Sequence, residues 1–359
     1  MKKILVVYTG GTICSAPQDG QRKLHTTLAK RAILANFSAG PSRYAGSADQ
    51  LFEDSRLCKC HQTLSENMTV AKLDRIIDHL KTFDLNDYAG VILLHGTDTL
   101  AYTAALLSFL YADTPVPILL VSGNRPPMDP ESNANENFRV AVELILGKIP
   151  PNVYVPYQNS DGKIWLHLGS TVMQCANFSE DFTNASANKM FAVDGDHICS
   201  DDLLQQCAPF STVENASVRT VTEHFDHLRD DALLIYPYTG LRYSNILIDH
   251  APAIVHGTYH SGTVCTERND PAAAYSSNSV LWLLKKCNEQ NIPVFIAPCK
   301  MGAEQYSSVF DAASFENAVL LNMTTEAAYG KLLIGISCGL KGEPLVHYMR
   351  TQLNHEMMH

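Results

Sequence analysis

Two stretches decide the reading of this chain: ILVVYTGGTI (residues 4–13) and VILLHGTDT (residues 91–99). Each is an uninterrupted apolar run that stops at a Gly-Thr turn. A run of this kind is how a strand buried on both faces reads, and such strands belong to parallel sheets covered by helices. In open α/β sheets the functional groups collect at the carboxyl ends of the strands. With these two strands as neighbours, the hydroxyls of Thr12 and Thr97 would lie at adjacent strand ends, with Asp98 beside them. That is a nucleophile, activator and orienter set suited to attack on a carbonyl.

The pattern repeats outward from these runs. Strands are expected at 3–8, 89–94, 115–122, 152–156, 231–237, 252–258 and 292–297. Helices are expected over 99–113, 277–291 and 324–339, the second with Ser and Asn as cap candidates before Pro293 and the third with Gly339 past its end. Alternating strands and helices predict an α/β protein with doubly wound, mostly parallel sheets. At 359 residues the chain exceeds what one hydrophobic core usually holds, so two domains are expected. Residues 183–229 are polar and lack a long apolar run. The expected division is a larger domain over 1–196, a linker over 197–229 and a smaller α/β domain over 230–350. The tail after Tyr348 is polar and Met-rich and is expected to be poorly ordered.

Composition narrows the function class. The net charge is −10 with no basic block, which leaves no electrostatic footprint for nucleic acid. The apolar run after Lys2 and Lys3 is too short for a secretory signal, and no segment approaches a membrane span. The 10 cysteines are therefore read as reduced, mostly buried thiols of a cytoplasmic protein. Cys58, Cys60 and His61 form half of a metal-ligand pattern with no matching second half, so no metal and no cofactor are expected.

The turns carry the chemistry. Gly10 and Gly11 let a ligand lie against the main chain, as an oxyanion hole requires; a tight strand-to-helix turn would use the same residues. A phosphate loop is disfavoured because the Walker spacing and its lysine are missing. Asp98 and Thr99 would serve equally as helix caps, while an ionised Asp98 would hold a substrate ammonium. His95 reads as a packed histidine rather than a base.

TGGTI at 9–13 followed by HGTDT at 95–99 resembles the bacterial-type L-asparaginase family. Ser65-Glu66-Asn67-Met68-Thr69 is similar to the family's substrate-binding segment, and MTTEAAYGKLL at 323–333 is similar to a helix of its small domain. The resemblance spans nearly the whole chain. It implies a larger N-terminal and a smaller C-terminal α/β domain, assembled as a homodimer or homotetramer. It also implies roles: Thr12 as nucleophile, Thr97 as activator, and Asp98 as the partner of the substrate's α-amino group. Gly11, Ser65, Glu66 and Gly96 would form the substrate cradle, with Ser65 and Glu66 at the positions that meet the α-carboxylate and α-amino groups.

The sequence departs from the family at several places. The family's loop tyrosine falls on His25, followed by Thr26, and its catalytic lysine falls on Met173. Its arginine falls on Ser170, its Ala-Asp-Gly segment on Asn133-Ala134-Asn135, and its small-domain asparagine on Thr263. A lysine beside Asp98 would favour the ionised carboxylate, so its loss weakens activation, and general-base assistance is worth ~10²–10⁴-fold. His25 is the candidate replacement, because imidazole titrates near neutrality; the alternative is a solvated loop residue. His260 is a second candidate, and Lys163 or Lys189 would serve only in a different register.

The leading expectation is hydrolysis of L-asparagine, or a close amino-acid amide, to the acid and ammonia. One alternative is a catalytically weak paralogue that binds an amino acid. Another is the ammonia-donating subunit of a tRNA-dependent amidotransferase. Such subunits share both threonine motifs but carry an extra N-terminal domain, whereas this chain opens on its first strand.

Overall fold

The computed structural model describes residues 2–57, 62–185, 190–194, 197–198, 218, 220–268, 275–300, 302 and 305–358. The chain divides into two compact units, Met1–Phe210 and Ser211–His359. The expected linker over 197–229 lies largely outside the described residues, as does the Cys58-Cys60-His61 cluster.

The first unit is built on β1 (Ile4–Tyr8), in which all five residues are buried. After it come the hairpin β2 (Ser15–Gln18) and β3 (Gln21–Leu24), α1 (Thr26–Ala39), the short α2 (Ala48–Leu51) and β4 (Phe52–Arg56). Then follow α3 (Val70–Lys81), β5 (Gly90–Leu94), α4 (Leu100–Leu110), β6 (Ile118–Val121), α5 (Ala134–Leu146) and β7 (Val153–Gln158). β8 (Ile164–Leu168), β9 (Val172–Met173), β10 (Thr183–Asn184), β11 (Met190–Asp194) and β12 (His197–Ile198) complete the unit. The main sheet runs β12-β11-β8-β7-β6-β5-β1-β4. β4, β1, β5, β6 and β7 are parallel, and β8, β11 and β12 add on antiparallel. The doubly wound, parallel-centred sheet expected from the apolar runs is present.

From β1 the chain crosses to β4 on one side, then returns to build β5, β6 and β7 on the other. The strand order reverses at β1, and the crevice outside the carboxyl ends at such a point is where doubly wound sheets take ligands. Tyr8 pairs with Leu94, so the Thr-Gly-Gly-Thr and His-Gly-Thr-Asp turns leave the sheet side by side.

The helices follow from periodicity and capping. In α3, Leu73, Ile76, Ile77 and Leu80 form one buried stripe, and the Thr69 side chain accepts the Lys72 N–H at the start. In α4 nine of eleven residues are buried, because it packs on both sides and needs no polar face. Its caps are not those expected: Thr99 makes no side-chain cap, and both Asp98 and Thr99 turn toward Ser65 instead.

The second unit is a four-stranded parallel sheet in sequence order, β13 (Leu233–Ile235), β14 (Ile254–His256), β15 (Val294–Ile296) and β16 (Ala318–Leu320). Its helices are α6 (Val280–Glu289), α7 (Ser307–Ala313), α8 (Thr325–Ser337) and α9 (Gly342–Arg350). The tail corrects an expectation. Beyond α9, Leu353, Asn354, His355 and Glu356 are buried, and the Glu356 carboxylate meets the Lys331 ammonium of α8 at 2.7 Å with both side chains inaccessible to solvent. The polar composition of the tail serves a buried ion pair, not solvation.

Candidate active site

The site begins with two glycines in contact. Gly10 and Gly11 have φ of +133° and +78°, a region L side chains rarely adopt. A methyl group on Gly11 would lie 2.2 Å from the Gly96 nitrogen, and one on Gly96 would lie 2.4 Å from Ser65 Oγ. The turns after β1 and β5 therefore meet backbone to backbone, and the Ser65 side chain packs directly on Gly96, which only glycines allow. The Gly11 N–H donates to the Thr63 carbonyl at 2.8 Å, so Gly11 serves the site by its missing Cβ rather than by its amide. The Ser15 hydroxyl donates to the Gly11 carbonyl at 2.9 Å and pins the turn from its other side.

Thr12 follows directly, half-buried at the start of a single 3₁₀ turn, Thr12–Cys14. Across the glycine contact, the Ser65 hydroxyl donates to Asp98 Oδ2 at 2.7 Å and accepts the Asp98 N–H at 3.2 Å. The Thr99 hydroxyl donates to the Ser65 carbonyl at 3.1 Å. Ser65 and Asp98, predicted as binding and catalytic residues, are thus coupled directly, with Thr97 between Asp98 and Gly96. Glu66 is exposed on the same turn as Ser65.

His95 is wholly buried, and desolvation holds its imidazole down to about 4. The Gly96 carbonyl can only accept, so Nδ1 carries the hydrogen over its 2.8 Å contact and Nε2 takes the Thr103 hydroxyl at 3.1 Å. A neutral, fully bonded ring sets the turn and is no base, as the sequence indicated. His25 is exposed and caps α1: its Nδ1 accepts the Leu28 N–H at 3.3 Å, and its backbone N–H donates to the Cys14 carbonyl at 3.0 Å. The hairpin β2–β3 thereby closes a loop that starts and ends at the Thr12 turn.

A cavity of about 250 Å³ opens beside Thr97 and Asp98, lined also by Asn124, Tyr157, Gln174 and Glu180. The lysine sought at Met173 is absent there: Met173 is half-buried in β9, paired with Thr183, and does not line the cavity. The next residue does, and the Gln174 amide donates to the Asp98 backbone carbonyl. Lys163 lies in the turn before β8 and does not line this cavity, and Lys189 falls outside the described residues. Ser170 is fully buried, and Asn133 exchanges hydrogen bonds with Asn124. Burial, then Asp181 and Asp98, push the Cys175 thiol up to about 12, so it stays protonated at neutral pH. Sequence reasoning missed Gln174 and Asn124. No sequence signal pointed to Gln174, which stands just beyond the two residues of β9. In the second unit, Thr263 pairs with Ser261 at 2.9 Å and His260 is exposed.

A family model described as "Asparaginase, N-terminal" matches residues 3–202. The chain is 31% identical over 157 residues to the L-asparaginase of Thermococcus kodakarensis, a match covering 44% of this chain and 44% of that protein, less than half its length. It is 25% identical over 366 residues to a glutamyl-tRNA(Gln) amidotransferase subunit of Methanosphaera stadtmanae, covering 99% of this chain and 77% of that one. The fold matches the thermostable L-asparaginase structure from T. kodakarensis with a TM-score of 0.69 at 21% identity, covering 99% of each chain. It matches L-asparaginase I from Vibrio cholerae O1 biovar eltor with a TM-score of 0.73 at 22% identity, again covering 99% of each. With more than half its length matched by the family model and its two threonine turns joined at the sheet's switch point, the chain belongs to the asparaginase family.

Proposed function

We propose that the protein is an amidohydrolase that releases ammonia from L-asparagine or a close amino-acid amide through Thr12. The observation that supports this most is the Gly11–Gly96 contact, which joins the turn bearing Thr12 to the turn bearing Thr97 and Asp98. In this reading the Thr12 hydroxyl attacks the side-chain amide carbon. Its proton passes toward Thr97 and on to the leaving nitrogen as the C–N bond breaks and ammonia departs. Water then cleaves the threonyl ester, freeing the acid and restoring the hydroxyl. Asp98 takes the α-ammonium, with Glu66 as the second carboxylate on the adjoining turn. His25, with Nδ1 accepting from Leu28, bears its hydrogen on Nε2 and acts as a donor in place of a phenol. In this reading the protein acts in the cytoplasm as a homodimer or homotetramer. No described helix is long and apolar enough to cross a membrane.

The second reading is an ammonia-supplying component of a tRNA-dependent amidotransferase. The M. stadtmanae relative, which aligns with 99% of this chain, favours it. One assay separates the readings: ammonia release from free L-asparagine and L-glutamine between pH 5 and 10, for the native protein, Thr12→Ala and His25→Ala. The expected result is turnover by the native protein, a fall of ~10³-fold or more in Thr12→Ala, and a smaller loss in His25→Ala. Undiminished turnover in a folded Thr12→Ala variant removes Thr12 as nucleophile. A native protein silent on both free amides leaves the amidotransferase reading and the catalytically weak, amino-acid-binding paralogue.

A further inference from the structure

We infer that the cavity beside Thr97 binds the amine side of the substrate, and that it takes an amide whose nitrogen carries a hydroxylated substituent. This rests on the amino-acid amide reading above, in which Thr97 passes a proton to the leaving nitrogen. Thr97 lines the cavity, so a group attached to that nitrogen enters it. The cavity holds about 250 Å³. An unsubstituted leaving group is the size of one water, whose share of liquid volume is about 30 Å³. Its walls include the carboxylates of Asp98 and Glu180 and the neutral groups of Asn124, Tyr157 and Gln174, with no lysine, arginine or histidine among the described residues. An anionic substituent is repelled there.

Tyr157 decides among the remaining chemistries. It stands in β7 opposite Trp165 of β8, with its ring edge-on to Phe182 at 4.8 Å between centroids. The side chain is wholly buried, and its hydroxyl has no hydrogen-bond partner within bonding distance. Buried phenols normally have one. Burial raises the pKa of this hydroxyl, the Asn133 amide opposes the rise, and Cys175 and Glu180 add to it. Cys175 and Glu180 both line the cavity, so the hydroxyl is a neutral donor on the cavity side. Glu180 supplies the acceptor: its Oε2 takes the Asn124 amide at 2.8 Å, which leaves further lone pairs on the carboxylate. Both groups are held in place. Asp181 accepts the Ser160 N–H at 2.6 Å and the Ser160 hydroxyl at 2.8 Å, and Asn159 exchanges bonds with the Phe182 backbone at 3.0 and 3.1 Å. The 180–182 segment is thereby fixed to the turn after β7. One ligand hydroxyl meets both needs, accepting from Tyr157 and donating to Glu180. An ammonium offers Tyr157 no acceptor, and an alkyl group offers neither. Water adds across the C–N bond, and the products are L-aspartate and the hydroxylated amine.

The test follows L-aspartate release from L-asparagine and from its N4-(2-hydroxyethyl), N4-(2-aminoethyl) and N4-propyl derivatives. The native protein is expected to favour the hydroxyethyl amide over the aminoethyl and propyl amides by about tenfold or more in kcat/KM. Tyr157→Phe and Glu180→Ala are each expected to cut the preference over the propyl amide to about twofold or less. This ratio is taken within one variant, so a loss of folded protein does not move it. Equal rates for the hydroxyethyl and propyl amides, an aminoethyl amide in the lead, or a preference that survives Tyr157→Phe overturns the inference. Cleavage of L-asparagine with none of the three derivatives cleaved overturns it too and leaves the amide reading in place. If none of the four compounds yields L-aspartate, the amide reading falls and this inference with it.

Discussion

At the scale of single residues, the site depends on groups that are missing as much as on those present. Gly11 has a φ of +78° and no room for a Cβ against Gly96, so Gly11→Ala combines backbone strain with a backbone clash. It is expected to destabilise the first unit by about 3 kcal/mol or more, read by urea unfolding. A change of less than about 1 kcal/mol means that the two turns are not in contact. Gln174 makes the opposite case. It stands at Asp98 as a neutral amide where an ammonium would favour the ionised carboxylate. Gln174→Lys is therefore expected to raise ammonia release about tenfold or more. Met173→Lys, one residue away and outside the cavity, is expected to change it little. The reverse order in steady-state assays indicates the other register.

Among the elements, the C-terminal segment is the least expected. Lys331 comes from the inner face of α8, and the chain after α9 folds back so that Glu356 reaches it at 2.7 Å. The carboxylate also takes the Leu353 N–H at 2.9 Å and the Asn354 N–H at 2.8 Å, and Lys331 gives a further bond to the Thr351 carbonyl. Burial lowers the Lys331 ammonium, and the ion pair opposes this; for Glu356 the ion pair and the N–H donors outweigh burial and hold the carboxyl low. Removing one partner strands a buried charge, which costs about 3–5 kcal/mol, whereas replacing both by apolar residues costs far less. Glu356→Ala should lower the unfolding free energy by that amount, and Lys331→Met with Glu356→Leu should recover most of it. If the double change is as damaging as the single one, the tail is held by packing and not by the ion pair.

Across the whole molecule, both units use one device. A histidine ends a central strand in each, His95 after β5 and His256 at the end of β14, and each ring bonds the carbonyl of the glycine that follows. The His256 ring also meets the Tyr243 hydroxyl at 2.8 Å. Together with His167, which contacts the Asn184 amide oxygen at 2.6 Å, these rings are wholly buried, and desolvation lowers each to about 4. The unfolded chain protonates them near 6.5, so between 6.5 and 4 the unfolded state binds protons that the folded state refuses. The stability they contribute is complete above the unfolded value and declines as pH falls through this window, by about 2 kcal/mol for each ring at pH 5. Chemical denaturation at pH 7.5 and pH 5 should show this slope, and His256→Asn should remove one ring's share of it. A flat profile means that these rings are not buried neutral.

The chain's local chemistry was enough for the main architectural statements. Five buried residues of β1 and five of β5 read as apolar runs because strands covered on both faces need no polar side chain, and Gly-Thr turns mark where they end. Thr12, Thr97, Asp98 and Ser65 were legible for the same reason: they stand immediately beyond such runs or inside a recognisable segment. β4, whose residues Phe52–Arg56 include three charged side chains, was not legible, because an edge strand is held by pairing with β1 and not by its own hydrophobicity. Nor could sequence show that Gln174 rather than Met173 reaches Asp98, or that Arg22 leans on Asn124 across 102 positions of sequence. The buried tail was misread because polarity signals exposure unless a partner charge waits in the core. Strand identity is set by residues a few positions apart, which sequence records directly. Register, hairpin placement and buried charge pairing are set by contacts between distant segments, which exist only once the chain has packed.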